Sequence, residues 1–307
     1  MKILITGSSG TIGRLLMLEL IKRGHEVRGI DLKHSNNPLE IRCDIAESRQ
    51  LLIAFEKLHD NHGFIPDFVL NLAAEFGRLN GEDFYESVWS SNVIGLRNIL
   101  ELQKRIKFKL IHASSSEIYG ELKVDKITED MQPGVLSNDY AISKLVNEMQ
   151  IRNFRERYGN QVEILRFFNS YGPGEYFTEY RSVCCLFCYK ALHNMPYDVY
   201  KNYHRVFMFV DDFIPTLANA CERFQDGAII NIGGEEYRSV EELSEIVLKC
   251  AGKTDALVTY YEQDKHNVTN KRPDIEFAKK LLGHNPKVTL EEGIAKTIAW
   301  MKEVYKI

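Results

Sequence analysis

In the first half of the chain the apolar positions come in short unbroken runs, separated by longer stretches with helical spacing. Ile3-Leu4-Ile5 shows no polar alternation, which suits a parallel strand buried on both faces. Leu15, Leu16, Leu18, Leu20 and Ile21 then form a stripe with Arg14, Glu19 and Lys22 between them, and Gly24 closes an amphipathic helix. The alternation repeats: strands are predicted at 26–31, 41–45, 67–74, 109–117 and 162–168, and helices at 51–58, 83–103 and from Tyr140 onward. Strands alternating with helices imply right-handed crossovers, hence an α/β fold with a doubly wound parallel sheet. Ligands of such a sheet lie outside the carboxyl ends of its strands.

Past residue 170 the pattern loosens. Helices are predicted at 182–192, 211–224, 240–250, 274–282 and 290–305, and short strands at 197–200, 206–210, 229–232 and 257–260. The expected organisation is a Rossmann dinucleotide-binding domain at 1–170 and a smaller mixed α/β, mainly substrate-binding portion at 171–307. That portion is expected to close a cleft over the sheet's carboxyl edge, with some segments returning to the first domain.

Composition changes this picture little. A length of 307 residues and 44% hydrophobic content suffice for a sizeable core. A net charge of −4 gives no basic field for nucleic acid or anionic lipid, so small-molecule partners are expected, with no nucleic acid and no membrane. The first strand leaves no room for a signal peptide and no apolar run approaches a membrane span, so a cytoplasmic location is expected. Cys184, Cys185 and Cys188 lack the paired Cys/His set of a zinc site and read as reduced thiols on a buried helix face; no metal is expected.

Candidate chemistry begins at the first strand end. There Gly7, Gly10 and Gly13 are spaced G-x-x-G-x-x-G. Gly7 permits the tight turn, Gly10 lets backbone N–H groups approach a pyrophosphate together with Thr11 and Ile12, and Gly13 lets the helix pack on the strand. Asp31 ends the second strand at the distance where a carboxylate takes the ribose hydroxyls, and it repels a 2′-phosphate. NAD is therefore expected over NADP. Asp44, with Ile45, ends the third strand and is read either as an adenine contact or as a turn carboxylate; Leu72, Ala73 and Ala74 let the cofactor lie against the backbone.

The fifth strand runs into Ser114-Ser115-Ser116-Glu117, on the cofactor's side of the sheet. Tyr140 and Lys144 stand four residues apart, on one helix face. An ammonium about 4 Å from a phenol, at an effective dielectric of about 20, contributes roughly 4 kcal/mol, about three pKa units before screening. Tyr140 is thus expected to be a usable base near neutral pH.

Together Gly7/Gly10/Gly13, Asp31, Ser115, Tyr140 and Lys144 resemble the extended short-chain dehydrogenase/reductase family, specifically its NAD-dependent nucleotide-sugar epimerases, dehydratases and decarboxylases. Asn71-Leu72-Ala73-Ala74, Asn92 followed by Gly95, Ser115-Ser116-Glu117-Ile118-Tyr119-Gly120, Asn169-Ser170-Tyr171-Gly172-Pro173, Arg205 and Lys271-Arg272-Pro273-Asp274 extend the match over nearly the whole chain. The resemblance implies that Tyr140 takes a proton from the C4 hydroxyl of a nucleotide-diphosphate sugar as hydride passes to NAD. Ser115 would bind that oxygen and Lys144 the nicotinamide ribose, with Asn92 at the cofactor. Arg205 and Arg272 would clamp the diphosphate and Asn169 would contact the substrate near it, with Glu75 at the substrate; Arg78 and Arg181 lie in segments that match none of the subfamilies and are candidates for a distinctive sugar pocket.

The fate of the 4-keto sugar rests on Ser116 and Glu117. In 4,6-dehydratases of this family a Glu at the position of Glu117 removes the C5 proton; Ser116-Glu117 also fits the UDP-glucuronate decarboxylases. Ala73-Ala74-Glu75 resembles the thymidine-diphosphate dehydratases, whereas Lys271-Arg272-Pro273-Asp274-Ile275 looks more like the decarboxylases. The expected reaction is 4,6-dehydration, followed by decarboxylation and then 4-epimerisation as alternatives, and, in a different class, a non-catalytic NAD-binding sensor. A homodimer through the 83–103 and Tyr140 helices is expected.

Overall fold

The computed structural model describes residues 1–262, 264 and 267–307. Strands β1 (Lys2–Thr6), β2 (Glu26–Asp31), β3 (Glu40–Arg42), β4 (Phe68–Asn71), β5 (Lys109–Ser115) and β6 (Val162–Phe167), with a seventh at Ile229–Ile232, form one sheet. Its order is seventh-β6-β5-β4-β1-β2-β3 and its strands run parallel, the doubly wound arrangement expected. Ile3, Leu4 and Ile5 of the central strand are fully buried, as an apolar run without alternation requires.

Between the strands lie α1 (Thr11–Lys22), α2 (Ser48–His62), α3 (Arg78–Asp83), α4 (Tyr85–Val88), α5 (Gly95–Ile106) and α6 (Asp139–Tyr158). The single long helix expected over 83–103 is not one helix. Phe84 leaves helical geometry at φ −134°, and Trp89–Ile94 is a π-helical turn. Such a turn carries an extra residue and is often found at functional sites. Here Trp89 Nε1 donates to Asp139 at 3.0 Å and the Asn92 amide donates to Ser143 at 3.0 Å, so both side chains of the π-turn engage α6.

The chain divides into two compact units, discontinuous in sequence. The first comprises Met1–Ile118, Asn138–Arg166 and Ile214–Ile230; the second comprises Tyr119–Ser137, Phe167–Phe213 and Asn231–Ile307. Each stretch of the second unit starts at or just beyond the carboxyl end of β5 or β6, or within the seventh strand. Hydrophobic periodicity marks elements and not which unit they join, so these boundaries are set by packing.

Within the second unit, helices Val183–Leu192, Val240–Ala251 and Leu290–Tyr305 pack on one another. The last two start with capping boxes, Ser239 with Glu242 and Thr289 with Glu292. Cys184, Cys185 and Cys188 are buried free thiols whose pKa values burial raises. Among the described residues no helix is long and apolar enough to cross a membrane, and no cluster of His, Cys, Asp or Glu could hold a metal ion.

One buried carboxyl makes stability depend on pH. Glu163 on β6 is fully buried; Oε2 accepts the Gln225 N–H at 2.8 Å, while Oε1 has no partner among the described residues. Burial pushes its pKa up to about 7, above the unfolded value of about 4.3. The folded state therefore holds this proton more tightly: the stabilising contribution is complete below about pH 4 and is lost as pH rises through about 7. Glu163→Gln is expected to raise the melting temperature at pH 8, from a difference on the order of 3 kcal/mol at most, and to match the parent near pH 4. Thermal melts across that range are the check.

Candidate active site

The glycine turn after β1 is shaped by close backbone approach. Gly7 has φ +71°, and a Cβ there would stand 2.8 Å from the Ala73 nitrogen. A Cβ on Gly13 would stand 2.2 Å from the Gly7 carbonyl oxygen, so α1 can pack on the turn only without one. Gly10 is the N-cap of α1 and contributes no side chain, and Thr11 and Ile12 open its first turn. Asp31 is held at the end of β2, with Oδ2 accepting the Ser9 N–H at 3.0 Å and Oδ1 the Lys33 N–H at 2.9 Å. Sequence reasoning missed Glu40, which accepts from the Ser9 hydroxyl at 3.3 Å and adds a second carboxylate beside Asp31.

These residues suit a dinucleotide without a 2′-phosphate. The turn offers backbone N–H groups and a helix N-terminus to a pyrophosphate, and two carboxylates stand where ribose hydroxyls need acceptors. Replacing Asp31 by Ala is expected to weaken NAD binding about tenfold and to narrow its preference over NADP, as read by fluorescence titration.

Asp44, Ile45 and Asn92, all expected at the cofactor, also make contacts within the chain. Asp44 Oδ1 accepts the Ala46 N–H at 2.9 Å, so of the two readings the turn carboxylate describes this atom. Ile45 is buried, and its side chain lies so close to Gly95 that a Cβ there would meet it at 2.6 Å. Asn92 forms a backbone clamp. Its Oδ1 accepts the Glu75 N–H, and its Nδ2 donates to the Glu75 carbonyl, each at 2.9 Å, as well as to Ser143. Leu72, Ala73 and Ala74 lead from β4 into Glu75, whose carboxylate accepts from Asn80 Nδ2 at 2.8 Å. Arg78, one turn from Glu82 on α3, pairs with it at 3.3 Å.

The strand end and α6 bring the reacting groups together. Asn138 caps α6 by accepting the Ala141 N–H at 2.8 Å. Tyr140 lies in the first turn and hydrogen-bonds Ser115. Ser115 Oγ also accepts the Glu117 N–H at 3.2 Å, and Ser116 is buried beside it. Lys144 is 3% exposed and donates from Nζ to the Ala113 carbonyl at 2.8 Å, 5.8 Å from the centre of the Tyr140 ring.

The electrostatic expectation for Tyr140 is corrected. Its ring keeps some exposed surface, but its hydroxyl lies deep, and burial pushes the phenol up to about 12. The Ser115 hydrogen bond opposes this and the Glu117 charge adds to it. Lys144 is itself drawn down to about 8 by burial, against the pull of Glu148. Desolvation of the phenolate thus outweighs the attraction that spacing alone suggested.

The expected diphosphate residues lie in the second unit. Asn169 has φ +35° and donates to the Val206 carbonyl at 3.2 Å. Arg205 is 5% exposed and bonds the carbonyls of His204, Val268 and Thr269 and the Asn267 amide oxygen, so its guanidinium ties the strand His204–Val206 to the 267–269 segment. Arg272 is more accessible, paired with Asp125 at 2.9 Å and set 5.3 Å over the Tyr237 ring. Arg181 acts on Glu175, a buried carboxylate that accepts both the N–H and the hydroxyl of Ser182.

A model of the NAD dependent epimerase/dehydratase family matches residues 3–233. The chain belongs to this family. It is an NAD-dependent enzyme of the epimerase/dehydratase group. The chain is 29% identical to the UDP-N-acetyl-alpha-D-glucosaminuronate decarboxylase of Bacillus cytotoxicus, covering 98% of both chains. Among solved structures it resembles the UDP-glucose 4-epimerase of Thermotoga maritima, crystallised with UDP-glucose (TM-score 0.89, 27% identity, 99% of this chain and 100% of that one). It also resembles the UDP-glucuronic acid 4-epimerase of Bacillus cereus in complex with UDP-glucuronic acid and NAD (TM-score 0.87, 28% identity, 99% and 100%). The family's α/β fold is thus shared over essentially the whole chain.

Proposed function

We propose that this enzyme modifies a nucleotide-diphosphate hexose by transient oxidation at C4 and is a 4,6-dehydratase. The observation that carries the reading is the convergence of three groups: Ser115 bonds both the Tyr140 phenol and the Glu117 backbone, and the Glu117 charge acts on that phenol. A 4-epimerase has no use for a second proton-moving carboxylate there. NAD, when bound, supplies the two-electron acceptor and donor of the cycle. Tyr140 takes the C4 hydroxyl proton, Ser115 holds that oxygen, and Lys144 orients the ribose and supports the phenolate. The C4 ketone acidifies C5–H; Glu117 removes that proton, which passes through Ser116 to the C6 hydroxyl as it leaves as water, and hydride then returns to C6 with a solvent proton at C5. Glu75, fixed by Asn80, would face the sugar, and Arg272 would meet the diphosphate.

The decarboxylase named among its relatives favours a second reading, loss of C6 as carbon dioxide from the same 4-keto intermediate. Glu75, proposed at the sugar, favours a neutral C6 over a uronate. Proton NMR in D2O with UDP-glucose, dTDP-glucose, GDP-mannose and UDP-glucuronate, without added cofactor, tests both. Deuterium at C5 with a new C6 methyl supports dehydration; release of carbon dioxide replaces it with decarboxylation, and inversion at C4 without exchange replaces it with epimerisation.

We further propose a homodimer through α5 and α6 and the turns before α5. Phe84, Tyr85, Ile94 and Met149 are exposed there, which is costly for apolar side chains in water. A monomeric mass by light scattering would refute it.

A further inference from the structure

Three polar residues interrupt the apolar strands at one level of the sheet. Thr6, Asn71 and His112 are in register across β1, β4 and β5, and none is more than 2% exposed. The Ala73 N–H, beside the glycine turn, donates to Thr6 Oγ1 at 3.1 Å; the Thr6 hydroxyl donates to Asn71 Oδ1 at 2.6 Å. Asn71 Nδ2 then donates to His112 Nδ1 at 3.1 Å. This direction fixes the imidazole's tautomer: Nδ1 accepts, so the proton sits on Nε2. Burial, with the nearby Lys144 charge, holds His112 well below its ordinary pKa and keeps it neutral.

The chain of bonds then stops. His112 Nε2 has no partner among the described residues, and neither amide atom of Asn147 has one, although Asn147 is 1% exposed. Asn147 stands one helical turn after Lys144 on the same side of α6. Lys144 reaches β5 at Ala113, the residue after His112, and Glu148 reaches Ser114 at 2.6 Å, so this face of α6 lies on this part of β5. Orphaned donors and acceptors this deep are costly unless something joins them, and a buried water with several polar partners is the usual solution.

We propose that His112 and Asn147 hold a buried water that also accepts from the Lys144 ammonium, making His112 the positioning residue that ties the cofactor turn to the lysine. The water accepts from His112 Nε2–H and Lys144 Nζ–H and donates to Asn147 Oδ1. The groups facing Lys144 are Tyr140 and Glu148 from α6 and His112 with the Ala113 carbonyl from β5; Arg166 of β6 offsets Glu148 at 2.7 Å. With the water in place the ammonium gains an acceptor, which holds Nζ in one position and favours its charged form. The inference rests on the role proposed for Lys144 beside Tyr140.

Nitrogen NMR of the histidine-labelled wild-type holoenzyme, which needs no variant, should find His112 neutral with its proton on Nε2 and protected from solvent. A proton on Nδ1, or a charged ring near neutral pH, overturns the proposal. In His112→Phe, lysine-labelled NMR should show the Lys144 titration moved down by about one pH unit, kcat reduced about tenfold with KM nearly unchanged, and His112→Gln restoring most of both. A Lys144 titration that overlays the wild type overturns the proposal whatever happens to turnover. Full activity in Tyr140→Phe would instead remove the catalytic reading while leaving the Lys144 titration to decide this one.

Discussion

Tyr140→Phe is expected to reduce turnover by about a thousandfold or more while NAD stays bound, as judged by cofactor content after gel filtration. The change deletes one oxygen. Phe keeps the ring, the N-terminal turn of α6 and the Asn138 cap, so the helix that carries Lys144 stays in place. What goes is the group that takes and returns the C4 proton, and the Ser115 hydroxyl loses its partner. In the folded chain burial holds the phenol near 12, so oxidation of the sugar should accelerate with pH until the phenol ionises. A positive nicotinamide ring beside the phenol would bring that ionisation to lower pH, because a cation favours the phenolate. Retained turnover in Tyr140→Phe at any pH would remove Tyr140 from the chemistry.

Glu117→Gln is expected to reduce product formation by about a hundredfold to ten-thousandfold, and to do so at a different stage. The amide keeps the backbone N–H that Ser115 Oγ accepts, so the geometry around Tyr140 survives. It cannot remove the C5 proton. Sugar oxidation should therefore proceed and stall, visible as reduced-nicotinamide absorbance without deuterium entering C5. Because the Glu117 charge raises the Tyr140 pKa, its removal lowers that pKa, and the pH at which the oxidation step half-activates should fall. Unchanged C5 exchange in the Gln variant would assign the removal of the C5 proton to another group.

The cofactor half of the site was legible because its requirements are local. A tight turn, a close strand-to-helix approach and a carboxylate at the next strand end each need a particular residue at a particular spacing, and Gly7, Gly13 and Asp31 are such residues. Thr6, Asn71 and His112 also carried a signal, since polar residues in strands buried on both faces need partners. Their common level appears only when β1, β4 and β5 are laid in register, and that order, 1-4-5, is not the order of the chain. Asn92 shows the opposite case. Its motif was visible, but its use as a clamp on Glu75 depends on a π-turn that no periodicity announces.

By itself the sequence determined the alternation of strands and helices, the parallel sheet and the dinucleotide turn, because hydrophobic spacing and turn chemistry act over a few residues; the candidate Ser115, Glu117, Tyr140 and Lys144 set came from the family resemblance. Only the tertiary structure decided which segments join which unit and that Arg205 bonds the Val268 and Thr269 carbonyls. It also decided the ionisation of Tyr140 and Glu163. A pKa sums desolvation and charges over every neighbour brought in from elsewhere in the chain, and no spacing along the sequence contains that sum.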